Sequence, residues 1–265
     1  MNIGRYQANF DRLCGDLTAY AETNSPSAPA AGDGQRAARA KTLSESLFLA
    51  HSTASAKFAL ICRDQRLEGF TGRVEEQMGT AGHVFFYVSP FRYPSTDCGL
   101  LFSPSLETSR PEPGLASPFD SGSLLGPCTL PDKAVSPQDF LASHELPLPD
   151  HRYYLGRCMD KLFGDPADYV KGIEPLLPGP IGLTDGDHRR WTHEVRIKGQ
   201  VSLKDGHLQA VFAPKAFSRR IPDIRRLFEW CLETGVDRIE VDGNREGDFE
   251  ALQSACLAYI SRKLY

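Results

Sequence analysis

Three short stretches carry residues whose type and spacing suit chemistry. The first is Leu47-Phe48-Leu49-Ala50-His51-Ser52-Thr53. On an extended strand residues two apart share a face, so His51 and Thr53 project together where the strand runs out. A ring nitrogen and a short hydroxyl there offer donors and acceptors enough to hold ribose hydroxyls or a carboxamide. Alone, a histidine at a strand end reads as structural. The second stretch runs from Phe85 to Tyr93 and includes Tyr87, Arg92 and Tyr93. Alternation puts Phe85 and Tyr87 on one face, and an aromatic ring can lie flat against a cationic heterocycle. Tyr93 offers a second ring, and Arg92 a guanidinium for a diphosphate oxygen. The third stretch is Arg189-Arg190-Trp191-Thr192-His193-Glu194-Val195-Arg196-Ile197. There parity sets Thr192, Glu194 and Arg196 against Trp191, His193, Val195 and Ile197. A carboxylate at that place can stabilise developing positive charge; the bland alternative is an edge-strand glutamate paired with Arg196 or Arg190.

Other signals rank below these. Asp185, Asp187 and His188, taken with His193 and Glu194, invite a metal reading. Asp-Gly-Asp beside histidine is ordinary turn chemistry, however, and the strand neighbours His193 and Glu194 point oppositely, so no metal is expected. Asp120 is the most interesting acid of the Ser117–Gly122 segment, although a plain proline-containing turn explains it. Arginine pairs at 189/190, 219/220 and 225/226 can line a phosphate track or simply solvate helix and loop faces. Dinucleotide-binding glycine fingerprints, phosphate loops, zinc-protease helices and nucleophile elbows are all missing from the sequence.

The elements that must position these residues follow from periodicity. Ile3, Tyr6, Phe10, Leu13 and Leu17 predict an N-terminal helix, read as an appendage over residues 1–22. The Ser-, Pro- and Ala-rich stretch 23–42 reads as a linker. A main domain then spans 43–265. Leu47–Ala50 reads as a buried strand, Ser55–Leu67 as a helix, and His83–Ser89 as an aromatic strand that Pro90 stops. Between residues 103 and 150 fall nine of the nineteen prolines, so that region reads as long surface loops, either substrate loops or a lineage-specific insertion. Strands are expected at 191–197, 208–213 and 237–241. A helix bearing Ile224, Leu227, Phe228 and Cys231 is closed by Gly235, and a last helix carries Phe249, Leu252, Cys256, Ile260 and Leu264. Strands scattered in this way predict an α+β fold.

Composition sets the outer bounds. A net charge of −4 gives no global field to recruit nucleic acid, while leaving a local basic groove open. The seven cysteines are scattered and odd in number, which argues against a disulfide framework and for a reducing compartment. No apolar run approaches a membrane span and the start lacks a signal-peptide core, so a cytoplasmic, membrane-free protein is expected.

In order, a strand ending in His51-x-Thr53, an immediate helix, an aromatic strand and a late Glu194-Val195-Arg196-Ile197 strand resemble the ADP-ribosyltransferase superfamily. The glutamate strand is similar to that of toxin-type enzymes that modify thymidine in single-stranded DNA. Ser52 stands where that family usually has glycine. The resemblance covers roughly residues 43–265 and rests on three short motifs. It implies split β-sheets around an NAD cleft with flanking helices. His51, Ser52, Thr53, Tyr87, Arg92 and Tyr93 would hold NAD, consumed as substrate, and Glu194 would be catalytic. The implied activity is mono-ADP-ribosyl transfer to a macromolecule, with a nucleic-acid base (DNA or RNA) favoured over protein. NAD hydrolysis and a non-catalytic ligand-binding role are the rivals, and an antitoxin or regulatory partner is compatible with the toxin likeness.

Overall fold

The computed structural model describes residues 3–24, 33–91, 93–110, 114–126, 128–163, 170, 188–242 and 248–264. Helices α1 (Ile3–Asn24) and α2 (Asp33–Ser46) precede β1 (Leu49–Thr53), α3 (Ser55–Asp64), β2 (Arg66–Glu68), α4 (Arg73–Met78), β3 (His83–Val88) and β4 (Cys98–Phe102). Then come α5 (Ser105–Thr108), β5 (Leu115–Ser117), a 3-10 turn (Ser121–Leu125), α6 (Pro137–Ala142), β6 (Leu146–Pro147) and α7 (Leu148–Cys158). The last part contains β7 (Glu194–Lys198), β8 (Gln200–Ser202), β9 (Leu208–Pro214), α8 (Lys215–Arg220), α9 (Pro222–Thr234), β10 (Asp237–Val241) and α10 (Phe249–Leu264).

Local chemistry explains most of these boundaries. In α9 the buried Ile224, Leu227, Phe228 and Cys231 form one stripe, Pro222 suits the first turn, and Gly235 ends the helix at φ 76°. In β3 the buried Val84, Phe86 and Val88 alternate with the half-buried His83, Phe85 and Tyr87. Two expectations change. The helix expected over Ser55–Leu67 stops at Asp64, because Gln65 turns at φ 55° and the following residues pair as β2 with β8, burying Leu67. The proline-rich region 103–150 is built of short elements, and its β5 pairs with β7 inside the main sheet.

The main sheet is mixed, with strand order β10-β9-β4-β1-β3-β7-β5-β6. Only β10 and β9 run parallel; the other neighbours are antiparallel. At its centre the sheet forks. β1 stays paired with β4 from Leu49 to Thr53, and β3 with β7 from His83 to Tyr87, yet β1 and β3 share only Leu49↔Val88 and Ala50↔Tyr87. Two half-sheets therefore diverge from a short seam, just where β1 carries His51, Ser52 and Thr53.

Helices cover both halves. α3 packs on β4 and against α9, and α10 lies on β9 and β10. The Phe91 ring packs so closely on β4 that a Cβ at Gly99 would sit 2.2 Å from it, which only glycine avoids. At the other half, α7 covers β5 and β6 and is itself packed by α1 and α2. The N-terminal helix expected as an appendage is part of the body, since Leu13, Leu17 and Ala21 are buried in the main core. Likewise, the stretch expected as a linker is helical over Asp33–Thr42, within α2. A second, smaller core of Met78, Phe119, Leu124, Cys128, Phe140 and Leu141 underlies the 3-10 turn. No described helix is long and apolar enough to cross a membrane, and no disulfide joins any of the seven cysteines.

Candidate active site

Glu194 opens β7 between two partners, opposite Tyr87 on β3 and Ser117 on β5. Directly opposed residues share a face, so Tyr87 and Glu194 project to the same side, and Phe85 and Arg196 join them one step along. Three residues after Ser117 the chain turns over this face. Asp120 caps the 3-10 turn, its carboxylate accepting from the Gly122 N–H at 2.8 Å. The other Asp120 oxygen accepts from the Tyr87 hydroxyl at 3.2 Å. The next amide, Ser121 N–H, donates to Glu194 Oε2 at 3.3 Å. The small second core fixes this turn through Phe119 and Leu124, which lie on either side of Asp120 in sequence.

Two carboxyl groups thus share a nearly water-free corner, with Glu194 only 2% and Asp120 6% exposed. Burial and the neighbouring Asp120 push Glu194 up to about 8, against the pull of Arg196 and of the Ser121 bonds. Burial raises Asp120 too, although Tyr87, Arg189 and two backbone amides oppose it. Tyr87 rises well above the ordinary phenol range, through burial and then the two acids. Near neutral pH the corner accordingly retains a proton. Among the described residues Glu194 Oε1 has no hydrogen-bond partner: Arg196 Nε lies 3.4 Å away but outside hydrogen-bond geometry. A buried carboxylate oxygen left in this way is rare and costly. The approach is aromatic. The half-buried Tyr87 ring lies parallel to Tyr93, with centroids 6.4 Å apart and planes within 8°, and Tyr93 is exposed. This arrangement can present a flat surface to a planar heterocycle, a carboxylate to developing positive charge, and a second acid as proton reservoir.

The expected residues divide between two sides. Tyr87, Tyr93 and Glu194 come together. Because Ala50 opposes Tyr87, alternation along β1 sends Ser52 to the side of Glu194 and sends His51 and Thr53 to the other. His51 closes the fork: its Nδ1 donates to the Phe85 carbonyl at 2.9 Å and its ring meets Phe86 edge-on. Burial lowers its pKa, so the ring is neutral. The single cleft expected to join His51 and Thr53 to Glu194 is therefore replaced by a site on which Ser52 alone of the three shares the glutamate's face. Ser52 Oγ is buried and finds no hydrogen-bond partner among the described residues. Arg92 and Asp185–Asp187 lie outside the described residues. Asp120 was visible in the sequence as an acid in a turn, and only the fold brings it to Glu194.

His193, next to Glu194, bonds His151 on α7 across 2.8 Å and faces the core of α7. Burial pushes His193 down to about 3 and His151 well down, so this pair is neutral and dry. Far from both, a depression of about 310 Å³ lies at the β10 edge, lined by Ser218, Arg219, Arg225, Phe228, Arg238 and Glu240. It stands five strands from β7 in the sheet order and contains none of the carboxyl cluster. No protein-family model matches the chain, and no curated protein matches it either.

Proposed function

We propose that this chain is a mono-ADP-ribosyltransferase that breaks the nicotinamide–ribose bond of NAD and passes ADP-ribose to a macromolecule, with a nucleic-acid base as the favoured acceptor. The observation that carries the reading is the orphaned Oε1 of Glu194, held beside Asp120 and Tyr87 at the fork of a split sheet. Breaking an N-glycosidic bond develops positive charge on the sugar. A carboxylate that accepts the 2′-hydroxyl stabilises that charge, and Oε1 has the free lone pairs for it. The substrate's own pyridinium charge favours the ionised form of Glu194, offsetting its raised pKa on binding. Tyr87 and Tyr93 supply the flat wall for nicotinamide, and Ser52 a hydroxyl from the opposite half-sheet. Asp120, the neighbouring acid, raises the proton affinity of Glu194, so that Glu194 can exchange a proton with the acceptor. His51 has a supporting role here, tying the two half-sheets together through the Phe85 carbonyl.

The test is incubation with NAD labelled in its ADP-ribose part, together with separate DNA, RNA and protein fractions. Label should enter a macromolecular fraction, and Glu194→Gln should reduce transfer by about 10²–10³-fold. Transfer that survives this substitution would overturn the assignment of Glu194. Free ADP-ribose without labelled macromolecule would identify a hydrolase using the same corner.

A further inference from the structure

A line of alternating charges runs from the surface to Glu194. At its outer end Arg5 of α1 bonds Glu145. The other oxygen of Glu145 lies 3.0 Å from Arg196 Nη2, and Arg196 Nε lies 3.4 Å from Glu194 Oε1, ion pairs of which neither has hydrogen-bond geometry. Exposure falls along the line, from 38% for the Arg5 side chain through 12% for Glu145 to 3% for Arg196 and 2% for Glu194. α1 also grips the backbone that carries Glu145. Arg5 Nε donates to the Ala142 carbonyl at 3.0 Å, Asn9 Nδ2 donates to the Ala142 and Glu145 carbonyls at 3.1 and 3.0 Å, and Arg12 Nη2 donates to the Ser143 carbonyl at 2.6 Å. A helix docked only for its apolar stripe does not require so many polar bonds to one four-residue segment.

We infer that the N-terminal helix belongs to the catalytic apparatus: Arg5 and Glu145 are positioning residues that act through Arg196 on the charge and orientation of Glu194. This rests on the reading of Glu194 as the catalytic carboxylate. Arg196 is divided between two acids. Whatever strengthens its hold on Glu145 weakens its support of Glu194, and whatever releases it from Glu145 strengthens that support. The other groups facing Glu194 are Tyr87 from β3, and Asp120 and the Ser121 amide from the turn after β5, with Arg189 acting on Asp120. None of these joins α1 to the site. The line through Glu145 does, so displacement of α1 would alter the ionisation of a group it never touches.

The experiment compares Arg5→Gln, Glu145→Gln and the double variant in the full chain. The Glu194 carboxyl is titrated by ¹³C NMR, its signal assigned by its loss in Glu194→Gln, alongside the pH profile of kcat/KM for NAD. Glu145→Gln frees Arg196 for Glu194 and should lower the Glu194 midpoint by on the order of half a pH unit. Arg5→Gln leaves Glu145 less compensated and should raise the midpoint by a smaller amount. The double variant should follow Glu145→Gln, and Arg5→Lys should restore the wild-type midpoint. Opposite shifts are not what general loosening of the fold produces. Midpoints that do not move, or that move in the same direction in both single variants, would overturn the inference. If Glu145→Gln does not fold, the Arg5→Gln and Arg5→Lys pair at the exposed end carries the test alone. Opposite NMR shifts in a protein whose Glu194→Gln variant still cleaves NAD would sustain the electrostatic line while removing the catalytic reading.

Discussion

Among the described residues two glutamates are buried against arginines, and they are held in opposite ways. Glu107 of α5 is gripped by Arg152 of α7 through Nε at 3.0 and 3.2 Å and Nη2 at 2.6 Å, while Arg152 Nη1 donates to the Ser44 carbonyl at 2.7 Å. Both partners are satisfied, and the pair ties α5, α7 and α2 together. Glu194 has its arginine at 3.4 Å, out of line, with one oxygen unbonded and a second acid beside it. A buried ion pair that only supports the fold is completed, because every lone pair left unmet in a dry interior is destabilising. The incomplete pair is tolerated where the missing partner is supplied by something else.

The contrast can be broken in several places. Glu107→Gln strands Arg152 without its counter-charge and should cost about 3–5 kcal/mol in denaturant unfolding, with little effect on turnover per folded molecule. Glu194→Gln should do the reverse, with the rate loss given above and no loss of stability. Melting curves at two pH values sharpen this. A carboxyl whose native pKa is raised contributes its full stability below its ordinary value near 4.5 and loses it as pH rises through about 8. Glu194→Gln should therefore melt above wild type at pH 8.5, with the gap closing towards pH 4.5. The buried histidines act with the opposite sign. His193, depressed to about 3, stabilises above pH 6.5 and progressively less as pH falls below it. The smallest effect is expected from Asp120→Asn. Losing that charge should move the alkaline rise of kcat/KM to lower pH by up to about one unit.

Much of the scaffold was legible in the sequence, because short-range periodicity determines it. The alternation of β3, the apolar stripe of α9 with Gly235 behind it, and the limits of β10 are all local patterns. Tyr87 and Glu194 were legible for the same reason, each standing on a strand with clear parity. The relation of His51 to Glu194 was not. Parity says which residues of one strand agree, but which face agrees with a neighbouring strand depends on register, and a one-residue difference reverses it. The meeting of Asp120 with Glu194, and the place of Glu145, were out of reach for a related cause. Both lie in the proline-rich region, where β5 and β6 are only three and two residues long and gain their strand character from pairing with what lies beside them. The short helices and turns there follow capping chemistry, such as Ser136 at the start of α6, which is visible only once the helix is known.

The seam between β1 and β3 has a mechanical consequence. Beyond two strand pairs, the half-sheets are joined there by the Ser89 N–H donating to the Phe48 carbonyl at 3.0 Å and by the His51 ring. A ligand touching Ser52 on one half and Tyr87 or Glu194 on the other would act as a strap across a hinge. Its occupancy would then be recorded in the slowed exchange of the Ser89 amide, a readout that needs no knowledge of the acceptor.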